Sequence, residues 1–236
     1  MRCFFISDLH LSPHTPNLVE GFKRFVNSLN STDTLYILGD FFDAWIGDDE
    51  DTPVYLDIQF FLKSKTDAGL TIYFMKGNRD FTVGQTFSRN TGLKLLKDPT
   101  LTTISGQRLL LMHGDSLCIQ DKHYMRFRAV IRNPIVQSCL LALPLSWRRR
   151  IADSLRGKSK NANAEKSMTI MDVDQKEVQR VLEESGADIL VHGHTHRPGR
   201  HRYGAKERIV LGDWGATGWS LCIDDTQMVL SEFSIA

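Results

Sequence analysis

The run Asp188-Ile189-Leu190-Val191-His192, followed at once by Gly193-His194-Thr195-His196, decides how this chain of 236 residues is read. A short apolar stretch bounded by a turn signal reads as a buried strand. Two imidazoles one residue apart at its end lean toward one point, which suits a divalent metal better than a packed core. His-x-His alone is a common pattern, and its meaning depends on what the other strand ends supply.

Upstream, the same arrangement recurs. Residues 3–7 read as a strand that ends in Asp8-Leu9-His10, and residues 34–38 as one that ends in Gly39-Asp40-Phe41-Phe42-Asp43. Residues 70–75 run into Gly77-Asn78-Arg79-Asp80. Residues 101–104 and 108–112 flank Ser105-Gly106-Gln107 as a hairpin whose second arm reaches His113-Gly114-Asp115. Helices fit between the early strands. Residues 17–30 place Val19, Phe22, Phe25, Val26 and Leu29 on one face at spacings of three and four, and residues 55–68 also read as helical. Strand and helix alternate, with a polar cluster after each strand, so an α/β architecture is expected with its site at the carboxyl ends of the strands. Further strands are predicted at 209–212, 220–223 and 228–233, and this closing run suggests a second sheet packed on the first.

The polar clusters can be counted as ligands. Asp8, His10, Asp40, Asn78, His113, His194 and His196 are seven, too many for one four-coordinate zinc, so two ions are expected. Carboxylate, amide and imidazole ligands without thiolate suit Mn²⁺, Fe²⁺ or Zn²⁺, and a carboxylate can bridge two cations about 3.5–4 Å apart. Each residue taken singly has a bland role available: a helix cap for Asp8, Asx turns for Asp40 and Asp80, a satisfied strand-end imidazole for His113, a left-handed turn for Asn78. Five clusters, each after a strand, do not fit that description jointly.

The ordered series Asp8-x-His10, Gly39-Asp40-x-x-Asp43, Gly77-Asn78-Arg79-Asp80, His113-Gly114-Asp115 and Gly193-His194-Thr195-His196 resembles the calcineurin-like metallophosphoesterases over nearly the whole chain. The resemblance implies a four-layer αββα sandwich with a dinuclear site. One metal would take Asp8, His10, Asp40 and His196; the other would take Asp40, Asn78, His113 and His194, with Asp40 bridging. A water shared by two cations has a lowered pKa, so no side-chain base is needed. Many members carry His after the Asn where this chain has Arg79. Arginine delivers no proton at neutral pH but holds phosphate bidentately, which favours a substrate with a good leaving group.

Within that family, Ala44-Trp45-Ile46-Gly47-Asp48-Asp49, Gly77-Asn78-Arg79-Asp80-Phe81, His113-Gly114-Asp115-Ser116-Leu117-Cys118 and Ser159-Lys160-x-Ala162-Asn163-x-x-Lys166-Ser167 resemble the members that act on UDP-2,3-diacylglucosamine in lipid A biosynthesis. That likeness implies Mn²⁺-dependent attack of water on the α-phosphorus, giving UMP and 2,3-diacylglucosamine 1-phosphate. It assigns catalysis to Asn78, Arg79, His113 and His194, and substrate contacts to Asn78, Arg79, Asp121, Ser159, Asn163, Lys166 and His194. A phosphodiesterase or nucleotide pyrophosphatase with a soluble substrate is the alternative reading.

Composition sets the remaining expectations. The chain is 42% apolar and 24% charged with a net charge of +1, ordinary values for a globular protein. The charge is uneven: between Lys122 and Lys166 stand eleven basic residues against only Asp153 and Glu165. This helical, basic insert is expected to form a cap at 121–172, dividing the core into 1–120 and 173–236. Its Val130-Ile131, Ile135-Val136 and Leu140 to Trp147 lie beside Arg148-Arg149-Arg150, a mixture that suits acyl chains, a diphosphate and an anionic membrane surface. Tyr124, Phe127 and Trp147 are too few to form a stacking array, so nucleic acid is not expected. The four cysteines form no C-x-x-C pair, and neither a signal peptide nor an apolar run of about 18 residues is seen. A monomer is expected, cytoplasmic and peripheral to the cytoplasmic face of the inner membrane.

Overall fold

The computed structural model describes residues 1–165 and 172–235, with the side chains of 158–165 outside the description. From the N-terminus the elements run β1 (Cys3–Ile6), α1 (Pro16–Asn27), β2 (Thr34–Leu38), α2 (Pro53–Asp67), β3 (Thr71–Met75), α3 (Gln85–Thr91) and β4 (Lys94–Leu96). The hairpin β5 (Thr100–Ile104) and β6 (Gln107–Leu111) leads to α4 (Lys122–Ile131), α5 (Pro134–Leu141) and α6 (Leu145–Glu165). The chain closes with α7 (Gln175–Ser185), β7 (Ile189–His192), β8 (Gly199–Tyr203), β9 (Lys206–Val210), β10 (Thr217–Ile223) and β11 (Met228–Ser234).

Alternation along the strands decides the layering, because successive side chains leave a strand on opposite faces. Ile6, Leu35, Ile37, Ile72 and Phe74 pack against Phe22 and Val26 of α1, Ile58 and Leu62 of α2, and Phe87 of α3. Their neighbours Phe5, Tyr36, Leu38 and Met75 face the other way and meet Leu109, Leu111, Ile189, Val191 and Ile209 of the second sheet. From that sheet, Leu110 and Leu190 turn outward onto Val178 and Leu182 of α7. Helix, sheet, sheet and helix therefore stack as four layers, the αββα sandwich.

The strand order is β11-β10-β1-β2-β3-β4 in one sheet and β5-β6-β7-β9-β8 in the other. This corrects the expectation for the closing strands. Only β7, β8 and β9 belong to the second sheet; β10 returns to the first and pairs antiparallel with β1, Cys3 opposite Ile223. Alternation marks a strand but names no partner, and both sheets offered an edge. The polar strand β8, Gly199-Arg200-His201-Arg202-Tyr203, lacks that alternation and is held by antiparallel pairing with β9.

Through residue 165 the basic segment is mostly helical, and its prolines act as start signals. Pro134 opens α5 with Asn133 as cap, its side chain accepting from the Ile135 amide at 2.9 Å, while Pro144 immediately precedes α6. Much of the basic charge is spent on docking. Arg148, 3% exposed, donates to the carbonyls of Ile46 and Leu143 at 2.7 and 2.9 Å and pairs with Asp49. Arg149 pairs with Glu50 and Asp51, and Arg128 and Arg132 both reach the buried Asp115. Of the run Arg148-Arg149-Arg150, the acidic loop 48–51 of the core binds the first two, burying Arg148 and leaving Arg149 half-exposed, while Arg150 is exposed.

Candidate metal centre

The carboxyl ends of β1, β2, β3, β6 and β7 open toward one region, and the chain turns sharply as it leaves them. Asp8, His10, Asp40, His194 and His196 have φ of 56°, 50°, 50°, 67° and 54°. Among the described residues the other non-glycine with positive φ is Ser105, in the β5–β6 hairpin. Left-handed backbone costs a residue with a Cβ, and Asp and His tolerate it better than most. Strain gathered on the candidate ligands marks a site whose side-chain directions matter more than local comfort. Close approach fixes a glycine too: a Cβ on Gly77 would stand 2.1 Å from Asp40 Oδ1.

Two groups of donors form there. Asp8, His10 and His196 bring one ligand atom each to within 4.8 Å of one another, as do Asp40, His113 and His194. Asn78 joins the second group with Oδ1 3.0 Å from His113 Nε2. The His113 Nδ1–H donates to the Leu38 carbonyl at 2.9 Å, which leaves the Nε2 lone pair facing that amide oxygen. Two acceptors so close are stable only around a cation or a proton. In the first group, Asp8 Oδ1 is buried without a hydrogen bond, and the Nε2 atoms of His10 and His196 point at each other across 3.4 Å. Orphaned carboxylate oxygen and converging imidazoles, with no thiolate, are the donor set of hard or borderline divalent ions.

The titration behaviour of the groups follows from this crowding. Burial lowers His10 and His194 to about 4, so both imidazoles are neutral at physiological pH, as metal ligation would require. Burial acts the same way on His113, but the charges of Asp40, Asp115 and Asp8 outweigh it and raise this imidazole to about 9. His196 overcomes its burial through the Asp213 and Asp8 carboxylates, each 3.4 Å from one of its ring nitrogens, reaching about 10. Desolvation pushes Asp8 up, yet His196, with Nε2 3.4 Å from Oδ1, and the other surrounding imidazoles carry it below the usual carboxylate range. Asp40 goes the other way, raised by burial despite His113. Protons on His113 and His196 thus answer the buried carboxylates, the place a cation would take.

Around the centre, Arg79 lays its Nη1 2.9 Å from Asp43 and its Nε 3.7 Å from Asp40 Oδ2. Arg156 of α6 faces the other oxygen of Asp43 at 3.1 Å. Asp121 is buried and caps α4, accepting from the Tyr124 amide at 3.0 Å; the Tyr124 ring lies over His194 with centroids 5.9 Å apart. Lys166 lies outside the described residues, as do the side chains of Ser159 and Asn163. Two groups, Ser7 and Asp213, escaped the sequence reading of the site, and Asp115, named there in its cluster, has no role in it. Ser7 Oγ donates to Asp8 at 2.6 Å, Asp213 Oδ2 stands 3.4 Å from His196 Nδ1, and Asp115 receives Tyr124 Oη at 2.8 Å. Asp213 carried a usable signal: Val210-Leu211-Gly212-Asp213 repeats the pattern of Ile37-Leu38-Gly39-Asp40.

A phosphoesterase of the two-metal kind is what this fold and donor set define. The calcineurin-like phosphoesterase family model matches residues 1–198, and the chain belongs to that family, whose members work with divalent metals. Over its whole length the chain is 46% identical to a UDP-2,3-diacylglucosamine hydrolase of Cellvibrio japonicus (strain Ueda107), covering 100% of both. It is 43% identical to the protein of that name from Enterobacter sp. (strain 638), covering 99% of each. It is 42% identical to that of Escherichia coli O81 (strain ED1a), covering 97% of this chain and 98% of that one. Among solved structures, a novel archaeal phosphodiesterase superposes with a TM-score of 0.53 at 13% identity over 99% of both chains, a likeness of fold.

Proposed function

We propose that this protein hydrolyses the diphosphate bond of UDP-2,3-diacylglucosamine, water attacking the α-phosphorus to release UMP and 2,3-diacylglucosamine 1-phosphate. The observation that carries the reading is the pair of donor groups at the strand ends, set beside Arg79 in a chain 46% identical end to end to a hydrolase of that substrate. Two divalent ions, which we take to be Mn²⁺, would lower the pKa of a water between them and neutralise charge on the phosphorus oxygens.

The chain's own residues supply the rest. Asp8, His10 and His196 would hold one ion, and Asn78, His113 and His194 the other, with Asp40 shared. The His113 Nδ1–H bonded to Leu38 fixes the ring so that Nε2 faces inward. Arg79 and Arg156 hold the phosphates, and no residue needs to protonate the departing phosphate monoester because its second pKa lies near 6. Asp121, Ser159, Asn163 and Lys166 contact the rest of the substrate.

The acyl chains need apolar surface. On α4, α5 and α6 the residues Val130, Ile135 and Trp147 are 55%, 73% and 60% exposed, and α5 buries none of its side chains. No helix among the described residues is long and apolar enough to cross a membrane. The protein works as a monomer on the cytoplasmic face of the inner membrane, held there peripherally by this face. Hydrolysis in ¹⁸O-labelled water tests the reaction: label is expected in UMP, whereas label in the sugar phosphate overturns attack at the α-phosphorus.

A further inference from the structure

Among the described residues, the helices α4 and α6 are tied to the core by clusters of guanidinium and carboxylate at Asp115, at Asp49 to Asp51 and at Asp43. The one at Asp43 runs through the candidate centre. Asp43 lies three residues beyond Asp40 on the loop after β2, its amide bonded to the Leu11 carbonyl at 3.0 Å, and its side chain is largely buried. Its two oxygens hold two different cations: Oδ1 takes Arg79 Nη1 at 2.9 Å and Oδ2 faces Arg156 Nη2 at 3.1 Å. Arg79 comes from the core and Arg156 from α6, and the Arg156 Nε is buried without a partner. Two guanidinia repel each other, and each ends a long, flexible side chain. A carboxylate between them removes the repulsion and sets both orientations before any phosphate arrives.

We propose that Asp43 is a positioning residue, holding Arg79 and Arg156 side by side so that the phosphates of the substrate meet two fixed cations from opposite parts of the fold. This rests on the reading of the protein as a diphosphate hydrolase. Asp43 itself does not touch the phosphates, since its charge would oppose them. Its removal leaves the local charge more positive, so ground-state binding is not weakened, while the arrangement required in the transition state is lost. The signature is a fall in kcat without a rise in KM.

Kinetics with Mn²⁺ and UDP-2,3-diacylglucosamine in detergent micelles provide the test, on variants checked by thermal melting. Asp43→Asn is expected to lower kcat about 10- to 100-fold with KM unchanged or lower, the scale of a misplaced catalytic group. Asp43→Glu keeps the carboxylate and should recover most of kcat. Arg156→Gln should lose a similar factor, and adding Asp43→Asn to it should cost less than about threefold more, because both act through one cluster. A kcat within about twofold of wild type for Asp43→Asn, independent losses that multiply, or no rescue by Glu would each overturn the proposal. The ¹⁵N signals of the Arg79 and Arg156 side chains read the cluster without substrate: both should shift in Asp43→Asn, and unchanged signals also overturn it. Failure of the wild-type protein to release UMP, with those shifts present, counts against the substrate reading and not against the cluster.

Discussion

Asp40, the residue proposed to be shared by the two ions, lies in the second donor group: its Oδ1 accepts from the Arg79 amide at 2.9 Å and lies 3.6 Å from His113 Nε2. Asp40→Ala is expected to abolish UMP release and metal loading while leaving the fold largely intact; retained turnover refutes the bridging role. Asp213 acts one step further out, orienting His196 through Nδ1 at 3.4 Å. Asp213→Asn should weaken metal binding roughly 10- to 100-fold, the usual cost of losing such a partner, and an unchanged affinity by calorimetric titration would refute that. The pH dependence follows from His113 and His196, raised to about 9 and about 10 without metal. Metal uptake must expel those protons, so affinity should climb with pH through the neutral range, about tenfold per unit for each proton released. A pH-independent affinity between pH 6 and 8 would show that the imidazoles are already bare.

At the scale of elements, turns and docking contacts matter more than helix or strand propensity. Gly77, between β3 and Asn78, leaves no room for a side chain, and Gly77→Ala should push Asp40 out of place and lower metal affinity even though the strand is untouched. Wild-type affinity in that variant would mean the loop yields freely. Arg148 anchors the start of α6 by donating to two carbonyls, so Arg148→Ala should destabilise by about 1–3 kcal/mol in a chemical-denaturation measurement. In sequence, Arg148-Arg149-Arg150 beside apolar residues read as suited to a diphosphate and an anionic membrane surface. The structure buries Arg148 and ties the still half-exposed Arg149 to the core because residues 48–51, distant in sequence, present matching acids. No local pattern announces such a pairing.

At the scale of the whole molecule, an unburied apolar helix in the same insert as Arg156 suits a substrate with two chemically different ends. Ile135→Ser with Val136→Ser should leave the melting temperature near that of the parent, because neither side chain is buried, while lowering turnover of micellar substrate. Equal turnover would mean this face plays no part in handling the acyl chains. Vesicles containing anionic lipid should carry the parent protein down in a sedimentation assay and retain less of the variant.

The sequence alone determined the strands that carry the site, the clusters after them and the family, because ligands in that chemistry must sit where buried strands end, and burial and turn chemistry are local properties written in neighbouring residues; the short β4 and the polar β8 escaped it. His192-Gly193-His194-Thr195-His196 and Gly39-Asp40 were legible for that reason. Tertiary structure decided which sheet took β10 and β11, where Arg148 and Arg149 point, and that Asp43, Asp213 and Ser7 stand beside the donor groups. It also brought Asp8, His10 and His196 together across 188 positions of chain, counting from residue 8 to residue 196. Pairing partners and through-space charge depend on the path of the whole chain, and no window of sequence contains that path.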